Sequence, residues 1–248
     1  MILDMINYFK FLKLCIFYNA NISNLFVQTV EDCMVMGVKS IFIFAVLSGI
    51  VGVVCGIHVS SMLDGLFMSD KLIPVGLKNL FFLEFCPTIM CIVYIGQNMT
   101  SIAGQIYTMR SSGHLDNIVV MGVNVASYTC LPKIIASVLV YPLMTILSCV
   151  FALLGAALYC TQGKDEGVMG FIGLCISTFN FKYISLCLVK SIVFGFLCGS
   201  IATYVGYCYS NDKSENMMHV SQRCFTVSCV VVLISDTILN LINYYLTS

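Results

Sequence analysis

Residues 134–163 read IIASVLVYPLMTILSCVFALLGAALYCTQG and form the longest part of the chain without Asp, Glu, Lys or Arg. An α-helix needs about 20 mostly apolar residues to cross the hydrocarbon core of a bilayer. At 30 residues, this stretch can span a membrane with room for tilt. It therefore predicts a membrane-spanning helix.

The overall composition agrees with a membrane protein. Of the 248 residues, 59% are hydrophobic and 10% are charged, whereas a soluble domain carries about 25% charged residues. The 12 basic and 12 acidic side chains cancel, which argues against nucleic acid binding, because phosphate contacts need clustered Lys and Arg. None of the 14 cysteines forms a C-x-x-C pair, so we expect neither a metal site nor a disulfide framework.

Four other stretches meet the same criterion, three of them with one interrupting charge. The five predicted spans cover about residues 40–63, 80–109, 133–160, 183–209 and 224–246. Residues 1–30 precede them and begin with a loosely amphipathic pattern, which is typical of a helix lying in the membrane interface. The sequence thus predicts an all-α integral membrane protein, one domain over residues 1–248, with an N-terminal interfacial amphipathic helix and five transmembrane helices.

The direction of insertion is predicted from positive residues, which accumulate on the cytoplasmic side of membrane proteins. With a cytoplasmic N-terminus, the inner segments hold seven of them, namely Lys10, Lys13, Lys39, Arg110, Lys133, Lys213 and Arg223. The outer loops then hold four, namely Lys71, Lys78, Lys164 and Lys182. The count favours a cytoplasmic N-terminus and an external C-terminus.

Three charged residues fall inside the predicted spans: Glu84, Lys190 and Asp236. An ionisable group at the bilayer centre costs about 2.5–3.5 kcal/mol even on a lenient scale. Two interpretations stay open. These residues line a hydrated cavity or hold a polar head group, or they pair with one another or reach water at an interface.

Small residues and one proline mark where helices pack and bend. Gly52 and Gly56 are spaced as G-x-x-x-G in the first span, and Gly195 and Gly199 repeat that spacing in the fourth. Such stripes allow close helix approach in lipid, either within one chain or between two copies. Pro87 lies inside the second span and favours a kink, because proline has no backbone N–H to donate.

The connector between the second and third spans, at about residues 105–122, is the most distinctive polar segment. Its mixed apolar and polar side chains predict a short amphipathic element. This element is either a docking helix for a soluble partner or an ordinary interfacial connector. The chain has no G-x-x-x-x-G-K-[ST] phosphate loop, so any use of ATP requires hydrolysis by another chain. It also lacks the H-E-x-x-H and G-x-S-x-G motifs of common hydrolases, and we do not expect an enzyme.

Several segments, in order along the chain, resemble the MlaE family of ABC-transporter permeases. LFFLEFCPTIM at residues 80–90 is similar to the family's E-L-G-P motif, and GQNMTSIAGQIYTMR at residues 96–110 is similar to its G-R-x-G-S-A-x-x-A-E-I-G-x-M segment. KSIVFG at residues 190–195 is similar to the family's K-S-x-x-F-G. The main departures are Gln97, where the family has Arg, and Gln105, where it has Glu.

The resemblance implies a particular assembly. The chain would form a homodimer, pair with cytoplasmic ABC ATPase subunits that bind ATP, and contact a periplasmic MCE-domain protein and membrane lipids. It would be a non-catalytic permease subunit without a cofactor of its own. The implied activity is movement of phospholipid or a related lipid between inner and outer membranes. The expected location is the bacterial inner membrane, with a plastid inner envelope as the alternative.

The resemblance also implies roles for residues. The lipid-cavity candidates are Glu84, Pro87 and Gly96. The ATPase-coupling candidates are Gln105, Met109, Arg110, His114, Leu115 and Asp116. An ion-coupled secondary transporter, in which Glu84, Lys190 and Asp236 relay protons, is the alternative function.

Overall fold

The computed structural model describes residues 2–17, 22–64, 72–120, 122, 124–161, 168–177, 181–208 and 217–247. Every regular element within these ranges is a helix. In chain order they are α1 (Ile2–Phe17), α2 (Ile22–Asp64), α3 (72–111), α4 (His114–Val120), α5 (Ala126–Cys160), α6 (Val168–Ser177), α7 (Phe181–Cys208) and α8 (Met217–Thr247).

Five helices in the described ranges are long and apolar enough to cross a membrane. Their apolar parts are Leu25–Ser61, Val75–Ser111, Ala126–Cys160, Tyr183–Cys208 and Met217–Tyr245. α1 precedes them as a separate helix, and α6 has only 10 residues, too few to cross the hydrocarbon core. The predicted all-α fold with five spans is confirmed.

The helices extend further than the predicted spans. α2 begins at Ile22 rather than near residue 40, so residues 22–30 belong to it and not to the N-terminal helix. Its 43 residues cover about 65 Å at 1.5 Å per residue, roughly twice the hydrocarbon thickness. Lysine is a good helix former, and Lys39 and Lys78, counted above as flanking charges, lie within α2 and α3. Cytoplasmic orientation of the N-terminus stays a prediction.

The chain divides into two compact units. The first comprises Met1–Lys39, Ile92–Tyr141 and Ile192–Ser248, and the second comprises Ser40–Cys91 and Pro142–Ser191.

In the first unit, α1 packs through one face. Tyr8, Phe11 and Cys15 follow the i, i+3, i+7 spacing that places side chains on one side of a helix. The Tyr8 hydroxyl and the Ser200 hydroxyl of α7 form a hydrogen bond of 2.6 Å. The Cys15 thiol donates to the Ala126 carbonyl at 3.6 Å, and burial raises the pKa of Cys15 to about 12. α1 is therefore docked against its own chain along this face.

The second unit has its own apolar core. It is formed by small and aromatic side chains from α2, α3, α5, α6 and α7, among them Cys55, Phe81, Ala152, Ala156, Phe171 and Cys187. Six of the chain's cysteines belong to this cluster, where cysteine acts as a small hydrophobe. α6 contributes Phe171 and Cys175, so this short helix is part of the core of the second unit.

Candidate functional site

An ion pair between a buried lysine and a half-exposed glutamate lies in the second unit. The Lys190 ammonium on α7 donates to the Leu83 carbonyl at 2.9 Å, and its Nζ lies 3.5 Å from Oε1 of Glu84 on α3. The lysine side chain is 5% exposed, whereas the glutamate side chain is 47% exposed. A buried charge needs a partner. The ammonium has both the carbonyl and the carboxylate as partners, while about half of the glutamate side chain stays exposed.

Pro87 explains why a carbonyl is available to Lys190. In a regular α-helix the N–H of residue 87 would donate to the carbonyl of Leu83, but proline has no N–H and its ring clashes with that carbonyl. The structure accommodates Pro87 in a π-helical stretch, Phe81–Ile89, which contains Glu84 as well. Such stretches are frequent at functional sites. Because Pro87 follows Glu84 by three residues, the carbonyl that lacks its α-helical hydrogen bond is that of Leu83, the residue directly before Glu84. Lys190 thus binds this carbonyl and the Glu84 carboxylate together.

Two further candidates from the sequence, Gly96 and Asp236, belong to the first unit. Gly96 lies in a second π-helical stretch of α3, Ile95–Met99, and a Cβ at this position would lie 3.6 Å from the Phe225 ring of α8. Asp236 on α8 accepts a hydrogen bond of 3.3 Å from the Asn240 side chain one turn later. Of the three intramembrane charges, the structure therefore pairs Lys190 with Glu84, while Asp236 is bound by an amide.

Arg110, predicted to contact an ATPase, turns toward its own chain. Its Nη1 donates to the Tyr207 carbonyl at 2.6 Å, and its guanidinium carbon lies 4.6 Å from the centroid of the Tyr207 ring. Tyr207 is in the last turn of α7, where carbonyls lack helical partners and positive charge is favourable. Arg110 thus ties the end of α3 to the end of α7.

The described residues of the connector between α3 and α5 form a turn and the short helix α4. Gly113 and Gly122 have φ angles of +75° and +77°, a conformation that costs glycine little, and they bracket the short helix α4. The Gly113 N–H donates to the Arg110 carbonyl at 3.0 Å, which ends α3. The Asn124 side chain accepts a 3.0 Å hydrogen bond from the Ala126 N–H, which caps the start of α5.

The remaining coupling candidates are divided by burial. Gln105, Met109 and His114 are exposed. Leu115 is 3% exposed, so this apolar side chain holds α4 against its own chain and is not available to a partner. Asp116 lies in α4, but its side chain falls outside the described residues, as does Met121 near the end of the predicted element.

Two exposed valines were not among the predicted site residues. Val119 is 59% exposed and Val120 is 87% exposed at the end of α4. The sequence signal was present, because two adjacent valines lie near the end of the connector. Removing apolar side chains from water is favourable, so these two valines are candidates for a contact surface.

The predicted packing glycines contact neighbouring helices of the same chain. In the second unit, a Cβ on Gly52 would overlap the Ala152 carbonyl, and one on Gly56 would lie 3.4 Å from the Ala156 Cα. In the first unit, Gly195 and Gly199 both face Ser137 of α5, whose hydroxyl donates to the Gly195 carbonyl at 2.9 Å. These stripes bring α2 against α5 and α5 against α7.

A second buried ion pair was missed from the sequence. Lys133 on α5 lies 3.0 Å from Asp32 on α2, with side chains 9% and 21% exposed. Lys133 had been interpreted as a flanking charge and Asp32 had no assigned role, because neither interrupts a predicted span. The pair joins two helices of the first unit far apart in sequence.

Known proteins place this architecture in a family. The model of the family described as Permease MlaE matches residues 29–242. A probable ABC transporter permease protein of Rickettsia typhi is 26% identical over 160 residues, covering 62% of this chain and 59% of that protein. One from Synechocystis sp. is 25% identical over 175 residues, covering 70% and 66%. The chain thus spans about three fifths of the length of the Rickettsia relative. With the family match extending from α2 to α8, the chain belongs to the MlaE permease family.

Proposed function

We propose that the chain is the permease subunit of an ABC transporter that moves phospholipid or a related lipid between the inner and outer membranes of a bacterium. In this proposal two copies form a homodimer in the inner membrane with cytoplasmic N-termini. Separate ATPase subunits bind and hydrolyse ATP, and a periplasmic MCE-domain protein receives or delivers the lipid. The relatives named as probable ABC transporter permeases support the class.

The observation that carries the proposal is the connector between α3 and α5. It presents the exposed apolar side chains Val119 and Val120 and the exposed His114 on one short helix, which is bracketed by two glycines with positive φ. An apolar patch with a polar rim is typical of a protein contact. Such a connector can transmit motion from the ATPase to the permease only if ATP binding changes the affinity between the connector and the ATPase.

The lipid part of the proposal is supported by the Glu84–Lys190 pair. Lys190 is nearly inaccessible, while the Glu84 side chain is about half exposed and lies in the same π-helical stretch as Pro87. A half-exposed carboxylate in a membrane helix is stable only where water or a polar group covers it. A lipid head group inside a hydrated cavity supplies such cover.

The experiment is co-purification and transport with defined subunits. The chain is co-expressed with a candidate ABC ATPase subunit from the same organism and reconstituted in liposomes, and transfer of fluorescent phospholipid to an acceptor is followed with and without ATP. We expect Val120→Asp to reduce ATPase association by tenfold or more, about 1.4 kcal/mol. Met169→Asp, at an equally exposed position on α6, is the matched control and should associate as the parent does. Lipid movement that needs no ATPase, or that follows a proton gradient and stops in Glu84→Gln, would instead support the secondary transporter.

A further inference from the structure

Helix α1 is linked to the helix ends on both sides of the connector, once through Tyr207 and once directly. At the end of α3, Arg110 binds Tyr207, and the ring of that tyrosine also packs against Phe11 of α1, with ring centroids 5.5 Å apart. At the start of α5, the Cys15 thiol donates to the carbonyl of Ala126 at 3.6 Å. Phe11 and Cys15 are four residues apart, one helical turn, and so lie on the same face of α1.

The contact near Arg110 is an aromatic cluster with Phe11 buried at its centre. Phe11 is 5% exposed and also meets the ring of Tyr204 edge to face, at 5.6 Å between centroids. Tyr8 completes the cluster, with its ring 5.3 Å from that of Tyr204. Burial raises the pKa of the Tyr8 phenol. The cluster holds α1 on the last two turns of α7, where Tyr207 receives Arg110.

These contacts link the position of the connector to that of α1. The glycines at both edges of the connector allow the chain to turn there but do not hold it in place. Arg110 and Ala126 are its fixed ends, and each is linked to the same face of α1 through a single intervening residue or a direct hydrogen bond. Loss of these contacts would therefore remove one constraint at each end.

We propose that α1 positions the ATPase-docking connector, with Phe11 acting through Tyr207 and Arg110 at one end and Cys15 acting at the other. Phe11 is a positioning residue and does not itself touch the partner. The inference rests on the proposed function only for the identity of that partner. It makes α1 part of the coupling apparatus, in addition to any role at the membrane surface.

The test is hydrogen–deuterium exchange of the full chain in lipid nanodiscs, without any ATPase. Phe11→Ala should raise amide exchange at residues 112–120 by about two- to tenfold, because one aromatic contact is lost, and leave α6 unchanged. Leu14→Ala, an exposed position on α1, is the control and should exchange as the parent does. Phe11→Tyr should restore protection. Unchanged exchange in Phe11→Ala, or an equal rise in α6 and the connector, would overturn the proposal.

A second arm separates this inference from the proposed function. In a double-mutant cycle, Phe11→Ala and Arg110→Gln should be less than additive in connector exchange, since both act through Tyr207; additive effects would contradict the link. When the ATPase is added, Phe11→Ala should lower the lipid moved per ATP hydrolysed, and Phe11→Tyr should rescue it. If no ATPase binds the parent chain, the proposed function fails while the exchange result still decides the role of α1.

Discussion

Because Lys190 is buried and Glu84 is about half exposed, substitutions at these two positions should differ in how much they destabilise the protein. Glu84→Gln removes the carboxylate and leaves a nearly inaccessible ammonium with the Leu83 carbonyl. Lys190→Met removes the buried ammonium and leaves a carboxylate that is 47% exposed and can be hydrated. Although the two changes break the same contact, Glu84→Gln should destabilise the protein more.

The magnitude follows from the geometry. At the 3.5 Å separation of Nζ and Oε1, two unit charges attract by about 5 kcal/mol at an effective dielectric constant of about 20. Desolvation of the lysine offsets part of this attraction, and the remaining carbonyl bond retains part of the stabilisation. We expect a loss of about 2 kcal/mol for Glu84→Gln. Lys190→Met leaves a carboxylate that is about half exposed and can be hydrated, so this change should cost less than about 1 kcal/mol, as for an exposed ion pair.

The assay is unfolding of the purified chain by SDS titration at neutral pH, followed by circular dichroism. The double variant completes a cycle, and its coupling energy isolates the pair from each side chain's other contacts. The expected order is parent, then Lys190→Met, then Glu84→Gln in decreasing stability. If Lys190→Met proves the more destabilising variant by over 1 kcal/mol, the reasoning from burial is wrong, and Lys190 has a structural role beyond this pair.

Other expectations follow from single contacts. Gly52→Ala should destabilise the protein by several kcal/mol, because the added Cβ would overlap a backbone carbonyl of α5. Gly49→Ala is the control: the added Cβ has open space around it, so this change should be neutral or slightly stabilising. Equal thermal stabilities of the two variants would count against the packing assignment. Because the pKa of Cys15 is raised to about 12, only about one molecule in a thousand should carry the thiolate at pH 9. Cys15 should therefore react slowly with iodoacetamide at that pH. Modification at the rate of a free thiol would contradict its burial. Because the folded pKa is raised, the stability contributed by the neutral thiol is present below pH 9 and is lost as pH rises toward 12. Asp32→Asn leaves Lys133 buried without its carboxylate and should cost about 3 kcal/mol in SDS unfolding; a cost below 1 kcal/mol would mean that the lysine is otherwise solvated.

The number of membrane-spanning helices could be predicted from the sequence because lipid imposes a simple rule on them. Any segment that crosses the hydrocarbon core must be mostly apolar and helical, so long apolar stretches with at most one charge marked all five spans. The ends of the helices could not be predicted in this way. Hydropathy detects the apolar core, while α2 continues through Glu31, Asp32 and Lys39 toward Ile22, where charged side chains are no obstacle to helix formation.

The site was only partly visible from the sequence. Glu84 and Pro87 were recognised by their spacing, and the structure supplies the physical link: proline releases the Leu83 carbonyl that Lys190 binds. That link needs α3 and α7 side by side, which no local pattern contains. Arg110 illustrates the same limit. Its charge at the edge of a polar connector suited a docking role, yet the tyrosine that binds it is 97 residues away.

The central claim is that this chain moves lipid only when a separate ATPase drives it. The most direct measurement is phospholipid transfer from liposomes containing the chain, compared with and without the ATPase subunit, in the presence of ATP and with no ion gradient. We expect ATP-dependent transfer that requires both subunits and is lost when the ATPase cannot hydrolyse ATP. Transfer by the chain alone at the same rate would contradict the claim.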